Sequence, residues 1–207
     1  MTTSQPSPAG PGKPCREEPP GSVHLLTAPR GRVSRQGDEN MNRQAVTEAL
    51  TRPISRELLG SSIPARLAYV GVDGAPRAIP IGFWWTGEQV VMATVPKAPK
   101  VRALRRNPRV ALTIDTQDAW PPRVLLIRGA ARVELVDGVP DSYVEASRKV
   151  IPAAHFEGWE QGVRTLYDRM ALITMEPDWA KLLDFETTLP KAVAELVQTR
   201  RSAAVSD

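Results

Sequence analysis

The sequence predicts a mostly β protein, with helices inserted or appended, whose strands form an antiparallel barrel. Three observations predict this class. Short apolar runs recur between Ala65 and Phe185 with turn residues between them. Asp73-Gly74 stands between two such runs and is a strong hairpin signal, because glycine accepts positive φ at little cost. Strands do not alternate with helices as they do in a doubly wound parallel sheet, and closely spaced strands with tight turns favour a barrel. There is no internal repeat.

The elements follow in order. Residues 1–40 are rich in Pro, Gly, Ser and Arg without a sustained hydrophobic period, so they cannot offset their ordering entropy and are expected to be disordered. Met41 opens the first structured sequence and is a candidate true initiator, which mass spectrometry of the native protein would decide. From Asn42, Val46, Ala49 and Leu50 recur at helical spacing until Pro53 breaks the run. A second helical stub, Ser55 to Leu59, ends at Gly60. Ala65–Gly71 and Pro76–Trp85 then read as the hairpin strands, and Thr86-Gly87-Glu88 turns the chain into Gln89–Thr94. Pro99–Arg106 fits a short helix, with Pro99 at a first helical position and Asn107-Pro108 as the stop. Arg109–Asp115 alternates, with Val110, Leu112 and Ile114 on one face. Arg123–Val136 is a long strand in which Gly129 marks a bulge or bend. Asp141–Val150 is a helix, and Phe156, Trp159, Val163, Leu166 and Tyr167 make the apolar stripe of the next. Met170–Glu176 and Trp179–Phe185 read as two extended pieces. Pro190 opens a last helix to about Thr199. The expected division is a tail over 1–40, a domain over 41–190, and a C-terminal helix with a polar tail over 191–207.

Composition excludes several chemistries. With two histidines, His24 and His155, and one cysteine, Cys15, the chain can hardly assemble a zinc site or a Cys- or Ser-His catalytic pair. If it is an enzyme, the reactive atom belongs to a bound cofactor. A lone cysteine forms no internal disulfide, and the polar N-terminus lacks the apolar region of a secretory signal; both favour the cytoplasm. No apolar stretch approaches the roughly 20 residues that span a bilayer, so no membrane partner is expected. The net charge of +4 points weakly to anionic partners. Asp115, Asp118, Asp137 and Asp141 read as turn formers and His155 as a cap or surface residue.

The chemistry concentrates between Arg77 and Asp115. Pro80 and Gly82 imply a strand that is partly unpaired and open to close approach by something flat, although a plain edge strand or barrel corner reads equally from the residues. Just downstream, Thr94 offers a hydroxyl, Lys100 a cation, and the helix start at Pro99 free N–H groups with a favourable dipole. Lys97 lies one turn before Lys100, so either can serve. Arg77, at the mouth of the strand, is a further candidate or an ordinary surface arginine. Lys97, Lys100, Arg102, Arg105, Arg106 and Arg109 fall together without one acidic residue. That run reads as a solvated basic face or an anion site; nucleic acid would call for more charge and a base-stacking surface.

VGVDGAPRAIPI, RRNPRVALTID and LLIRGAARVE resemble the FMN-binding split β-barrel of the pyridoxamine 5′-phosphate oxidase-like superfamily, which includes flavin- and deazaflavin-dependent reductases. The likeness runs over roughly residues 45–185. It implies a six-stranded antiparallel split β-barrel of Greek-key type with peripheral helices. It also implies a flavin-dependent oxidoreductase acting on a small molecule, as a homodimer with the cofactor between subunits. On that resemblance the backbone of Arg77, Ala78, Ile79, Pro80 and Ile81 faces the flavin ring, and Thr94 and Lys100 match phosphate-contacting positions. The serine and arginine that often precede the matched lysine are Ala98 and Pro99 here, so Lys97 or Arg102 must substitute. The aromatic often found before the matched threonine is Ala93. No counterpart of the substrate-binding C-terminal basic segment of true pyridoxamine phosphate oxidases stands around LLDFETTLPKAVAEL. FMN is the first expected cofactor. The deazaflavin coenzyme F-420, whose long anionic tail suits the arginines at 102–109, is the second. Trp84, Trp85, Trp120 and Trp179 are possible linings of the interface or ordinary packing residues. A non-catalytic module binding flavin, deazaflavin or haem is a further reading, motivated by Ala98 and Pro99, and a small β-barrel that uses 97–109 against nucleic acid is a third.

Overall fold

Alternating burial organises the protein from its first strand. In β1 (Ala65–Val70), Ala65, Leu67 and Tyr69 are buried and the residues between them are exposed, the period-two pattern of a sheet with one covered face. The computed structural model describes residues 41–116, 119–185 and 187–205. The readings made for residues 1–40, Cys15 and His24 among them, and for Asp118 lie outside the described residues.

Two short helices precede β1. In α1 (Arg43–Thr51) the Asn42 side chain caps the first turn by accepting from the Ala45 N–H at 2.8 Å, and Pro53 opens α2 (Pro53–Gly60). After β1 the Asp73-Gly74 turn returns the chain into β2 (Pro76–Ile81), with Gly74 at φ 82° and Asp73 Oδ1 accepting from the Ala75 N–H. The chain continues through β3 (Trp84–Trp85), β4 (Val90–Thr94), α3 (Pro99–Arg106), β5 (Arg109–Asp115) and β6 (Val124–Asp137). It ends with α4 (Asp141–Arg148), α5 (Ala153–Leu166), β7 (Arg169–Leu183) and α6 (Lys191–Val205).

The strands make one antiparallel seven-stranded sheet in the order β2-β1-β5-β6-β7-β4-β3. Its two edges, β2 and β3, are consecutive in the chain, with only Gly82-Phe83 between them. The hydrogen-bonded ladder therefore stays open where the covalent chain is continuous, which is the geometry of a split barrel. Two details differ from the sequence expectation of six strands. The run Pro76–Trp85 divides at Gly82-Phe83, since its first half pairs with β1 and its second with β4. Met170–Glu176 and Trp179–Phe185, expected as separate pieces, are joined in β7. Its neighbour β6 supplies ladder partners on both sides of a register shift at Arg128/Gly129, with Gly129 opposite Pro177 and Arg128 opposite Trp179. The bulge expected at Gly129 is there.

The larger core fills the inside of the sheet with Leu67, Met92, Leu112, Ile127 and Ile173 against Leu58 of α2 and Leu104 of α3. A second, smaller core lies under α4 and α5, where Val144, Phe156, Val163 and Met170 pack together with Ala93 of β4. Phe156 and Val163 of the expected α5 stripe are buried and Trp159 and Tyr167 half-buried, but Leu166, the last residue of the helix, is 68% exposed. The last helix runs beyond Thr199, to Val205.

Candidate cofactor site

The corner between β4 and α3 gathers three of the expected residues. Thr94 ends β4, opposite Ala171 of β7, and a tight turn in which the Ala98 N–H donates to the Val95 carbonyl at 3.1 Å delivers the chain to Pro99 at the first position of α3. No side chain caps this helix start. Lys100 is half-buried in its first turn and Lys97 is exposed in the preceding loop. Among the described residues, neither lysine has a carboxylate partner and the Thr94 hydroxyl has no hydrogen bond. Burial holds the Lys100 ammonium below the ordinary lysine range. A half-buried cation without a counter-charge, beside a free hydroxyl and an uncapped helix start, suits an anionic group.

The expected ring-facing segment approaches this corner by its C-terminal end only. Gly82, which follows Ile81 at the end of β2, and Ala93, which precedes Thr94, line one cavity. From Arg77 to Ile81 the strand pairs with β1 on one side only; Arg77, Ala78 and Pro80 are exposed, Ile79 and Ile81 half-buried. Arg77 stands at the opposite, hairpin end of β2, and its guanidinium is ion-paired with Asp73 at 2.7 Å. Asp73 lies below the usual carboxylate range, first because it accepts from the Ala75 N–H and then because of Arg77. Within one protomer Arg77 is thus engaged away from Thr94 and Lys100.

The other charged candidates are committed elsewhere. Asp115 pairs with Arg66, Asp137 with Arg169 and Asp141 with Arg164, all at element ends as turn-forming residues would be. Arg123 pairs with Glu57 at 2.8 Å, and Arg128 lies over the Trp179 ring, 4.2 Å from its centroid. Arg109 pairs with Asp178, whereas Arg102, Arg105 and Arg106 are exposed along α3 without an ion pair among the described residues. Trp84, Trp85 and Trp179 are half-buried and Trp120 is 91% exposed, so none of the four fills the barrel. His155 is exposed at the start of α5. No cluster of metal-ligating side chains occurs among the described residues, and no helix there is long and apolar enough to cross a membrane.

Sequence reasoning missed two features. Lys149, just past α4, lays its ammonium over the Phe83 ring at 3.9 Å and donates to the Leu59 carbonyl, and burial holds its pKa near 8. Tyr143 of α4 stacks on Trp159 of α5 with ring centroids 5.8 Å apart. A helical period signalled α4, but nothing local tells which of its side chains meets α5.

Comparison with known proteins places the chain. The family model described as pyridoxamine 5′-phosphate oxidase matches residues 53–180. Among solved structures, the chain is similar to an F-420 reductase at 25% identity, covering 61% of this chain and 94% of that one with a TM-score of 0.48. A conserved hypothetical protein of Mycobacterium tuberculosis is 19% identical over 70% of this chain and 86% of its own, with a TM-score of 0.47. HutZ, the haem storage protein of Vibrio cholerae, is 19% identical over 64% and 93%, also at 0.47. No curated protein sequence matches. The family model spans well over half of the 207 residues, and the chain belongs to the pyridoxamine 5′-phosphate oxidase family.

Proposed function

We propose that the protein is a flavin-dependent oxidoreductase acting on a small molecule as a homodimer, with FMN as its cofactor. The observation that carries this reading is Lys100: half-buried, uncompensated by any carboxylate among the described residues, and at an uncapped helix start six residues after the expected phosphate hydroxyl of Thr94. A phosphate there satisfies the cation and the helix dipole together. Lys97 stands in for the donors that Ala98 and Pro99 lack. Residues Arg77 to Ile81 give a backbone edge that a flat ring can approach, and in a dimer that edge is closed by the second copy. A bound flavin would supply the hydride-carrying ring. The chain's own residues anchor the phosphate, orient the ring against β2 and keep water from it.

The deazaflavin coenzyme F-420 is a second reading, and a specific observation favours it: Arg102, Arg105 and Arg106 form an exposed cationic face on α3 with no ion pair among the described residues. Such a face suits a longer anionic tail than one phosphate. A non-catalytic flavin-binding module differs from both in turnover, not in binding, and a haem-binding module differs in the group it retains.

Lys100→Ala is expected to weaken FMN binding about tenfold, the loss of one charge-assisted contact, and Arg106→Ala to leave it nearly unchanged. A fluorescence titration measures both, and equal effects would move the phosphate away from this corner. For the deazaflavin coenzyme the Arg106 variant is expected to weaken binding as well. Reduction of the loaded protein by a nicotinamide donor, followed by turnover, separates the enzyme from the binding module.

A further inference from the structure

The outer face of β4 carries a cavity that the phosphate corner does not use. Its volume is about 290 Å³. Gly82, Ala93 of β4, Tyr143 and Ser147 of α4, Trp159 of α5 and the exposed Val150 line it. None of its lining residues carries a charge, in contrast with the cavity beside α1, into which Arg43, Glu88 and Glu176 project. The wall is aromatic and fixed: Trp159 stacks on Tyr143 and tilts against Phe156 at 5.5 Å, while Tyr167 meets Tyr143 edge-on at 6.5 Å.

Three polar side-chain groups belong to the residues that line this otherwise apolar space: the Tyr143 hydroxyl, Ser147 Oγ and the Trp159 indole N–H. The half-buried Tyr143 hydroxyl has no hydrogen-bond partner among the described residues, and burial with the nearby Tyr167 pushes its pKa up, so at neutral pH it is a donor. Ser147 Oγ spends its proton on the Tyr143 carbonyl at 2.8 Å, which leaves only lone pairs to offer. An aromatic wall, two free donors (the Tyr143 hydroxyl and the Trp159 indole N–H), a free acceptor and no charge define what fits: a flat neutral ring with a hydroxyl or carbonyl. A cavity of roughly 150 Å³ accepts benzene, so this one has room for about two fused rings.

We infer that the α4–α5 cavity binds an uncharged aromatic molecule of one or two rings carrying a hydroxyl or carbonyl substituent. Because Ala93 of β4 directly precedes Thr94 and Gly82 directly follows β2, the cavity adjoins the cofactor corner, and such a molecule is also the substrate class of the proposed oxidoreductase; that second step rests on the flavin reading.

The test is isothermal titration of cofactor-free protein with 2-naphthol. Saturable binding is expected, weakened about tenfold by Val150→Trp, which crowds the cavity from a lining position that is 63% exposed and so leaves the fold intact. Tyr143→Phe is expected to weaken 2-naphthol several-fold and to leave naphthalene unaffected. The anion 2-naphthoate is expected to bind at least about tenfold more weakly than 2-naphthol, since nothing in the cavity compensates its charge. Absence of saturable 2-naphthol binding, equal affinity for the naphthoate, or indifference to Val150→Trp each overturns the inference. Loss of FMN retention with 2-naphthol binding kept sinks only the substrate assignment; FMN retention without 2-naphthol binding sinks the cavity assignment and spares the flavin reading.

Discussion

Gly129→Ala should be the most damaging single methyl group in the sheet. Gly129 sits in β6 at the register shift, facing Pro177 across the ladder. A Cβ built there would lie 2.4 Å from the Glu176 carbonyl oxygen and 2.8 Å from Met175 Cγ. The side chain of Met175 can move, but the carbonyl is backbone, so β6 and β7 must part where the bulge already weakens their pairing. Overpacking in a filled core costs about 1–3 kcal/mol, and a strained or lost ladder bond adds about 1 kcal/mol. A total near 3 kcal/mol lowers the melting temperature by roughly 10 °C for a chain of this size. Gly82→Ala is the control: nothing lies within 4 Å of its Cβ, and its effect should stay within about 0.5 kcal/mol. Thermal melts followed by circular dichroism compare the two. A Gly129→Ala melt within about 2 °C of wild type would refute the claim that the bulge holds β7 backbone against this residue.

Three further outcomes are expected. The Lys149 pKa falls from 10.5 unfolded to about 8 folded, so between those values the unfolded chain holds the extra proton and stability rises with pH; below pH 8 the cost is present in full. Lys149→Met should therefore raise the melting temperature most at pH 7. Its advantage should shrink by about 1 kcal/mol toward pH 10.5, allowing for solvent screening of the partly exposed ammonium; a gap that does not narrow counts against burial as the cause. Asp184, 3% exposed, accepts from the Thr187 and Thr188 N–H groups at 2.8 and 2.6 Å and from the Thr187 hydroxyl. Asp184→Ala leaves those donors unpaired and should cost about 2 kcal/mol in a urea titration, whereas a loss below about 0.5 kcal/mol would show the turn is held otherwise. Light scattering should give twice the chain mass at micromolar concentration, and a monomer there removes the second wall of the proposed flavin cleft.

What the sequence revealed, and what it hid, divides by range. Asp73-Gly74, Pro99 and Asn107-Pro108 act on their own backbone, so turn and helix bounds follow from the residues themselves. Gly129 was legible as a bulge for the same reason, although its cause, the Glu176 carbonyl, lies 47 positions away. Strand count was less legible. Two edges of one sheet can come from a single run such as Pro76–Trp85 only if distant strands take its two halves, and that pairing is invisible locally. The candidate site shows the same limit: Thr94, Lys97 and Lys100 are neighbours in sequence and could be grouped from it. The pairing of Arg77 with Asp73, the contact of Lys149 with Phe83 and the Tyr143–Trp159 stack depend on tertiary placement.

The prolines of β2 explain why this edge can remain open. Pro76 and Pro80 lie opposite Val70 and Arg66 of β1 and share one parity along the strand with Ala78. A ladder that keeps its bonds must turn the proline nitrogens away from β1, because they have no proton to give. The outward edge then offers carbonyls and one N–H, that of Ala78, where an uninterrupted strand would offer three. Another strand cannot zip onto such an edge, so the usual hazard of an unpaired strand is removed without covering it. On the proposed reading, a flat ligand with a single acceptor needs only that one donor, and a second copy closing over β2 would do so by side-chain packing instead of extending its sheet. The two prolines that demote this segment as a strand are what keep its outer edge from pairing with another strand.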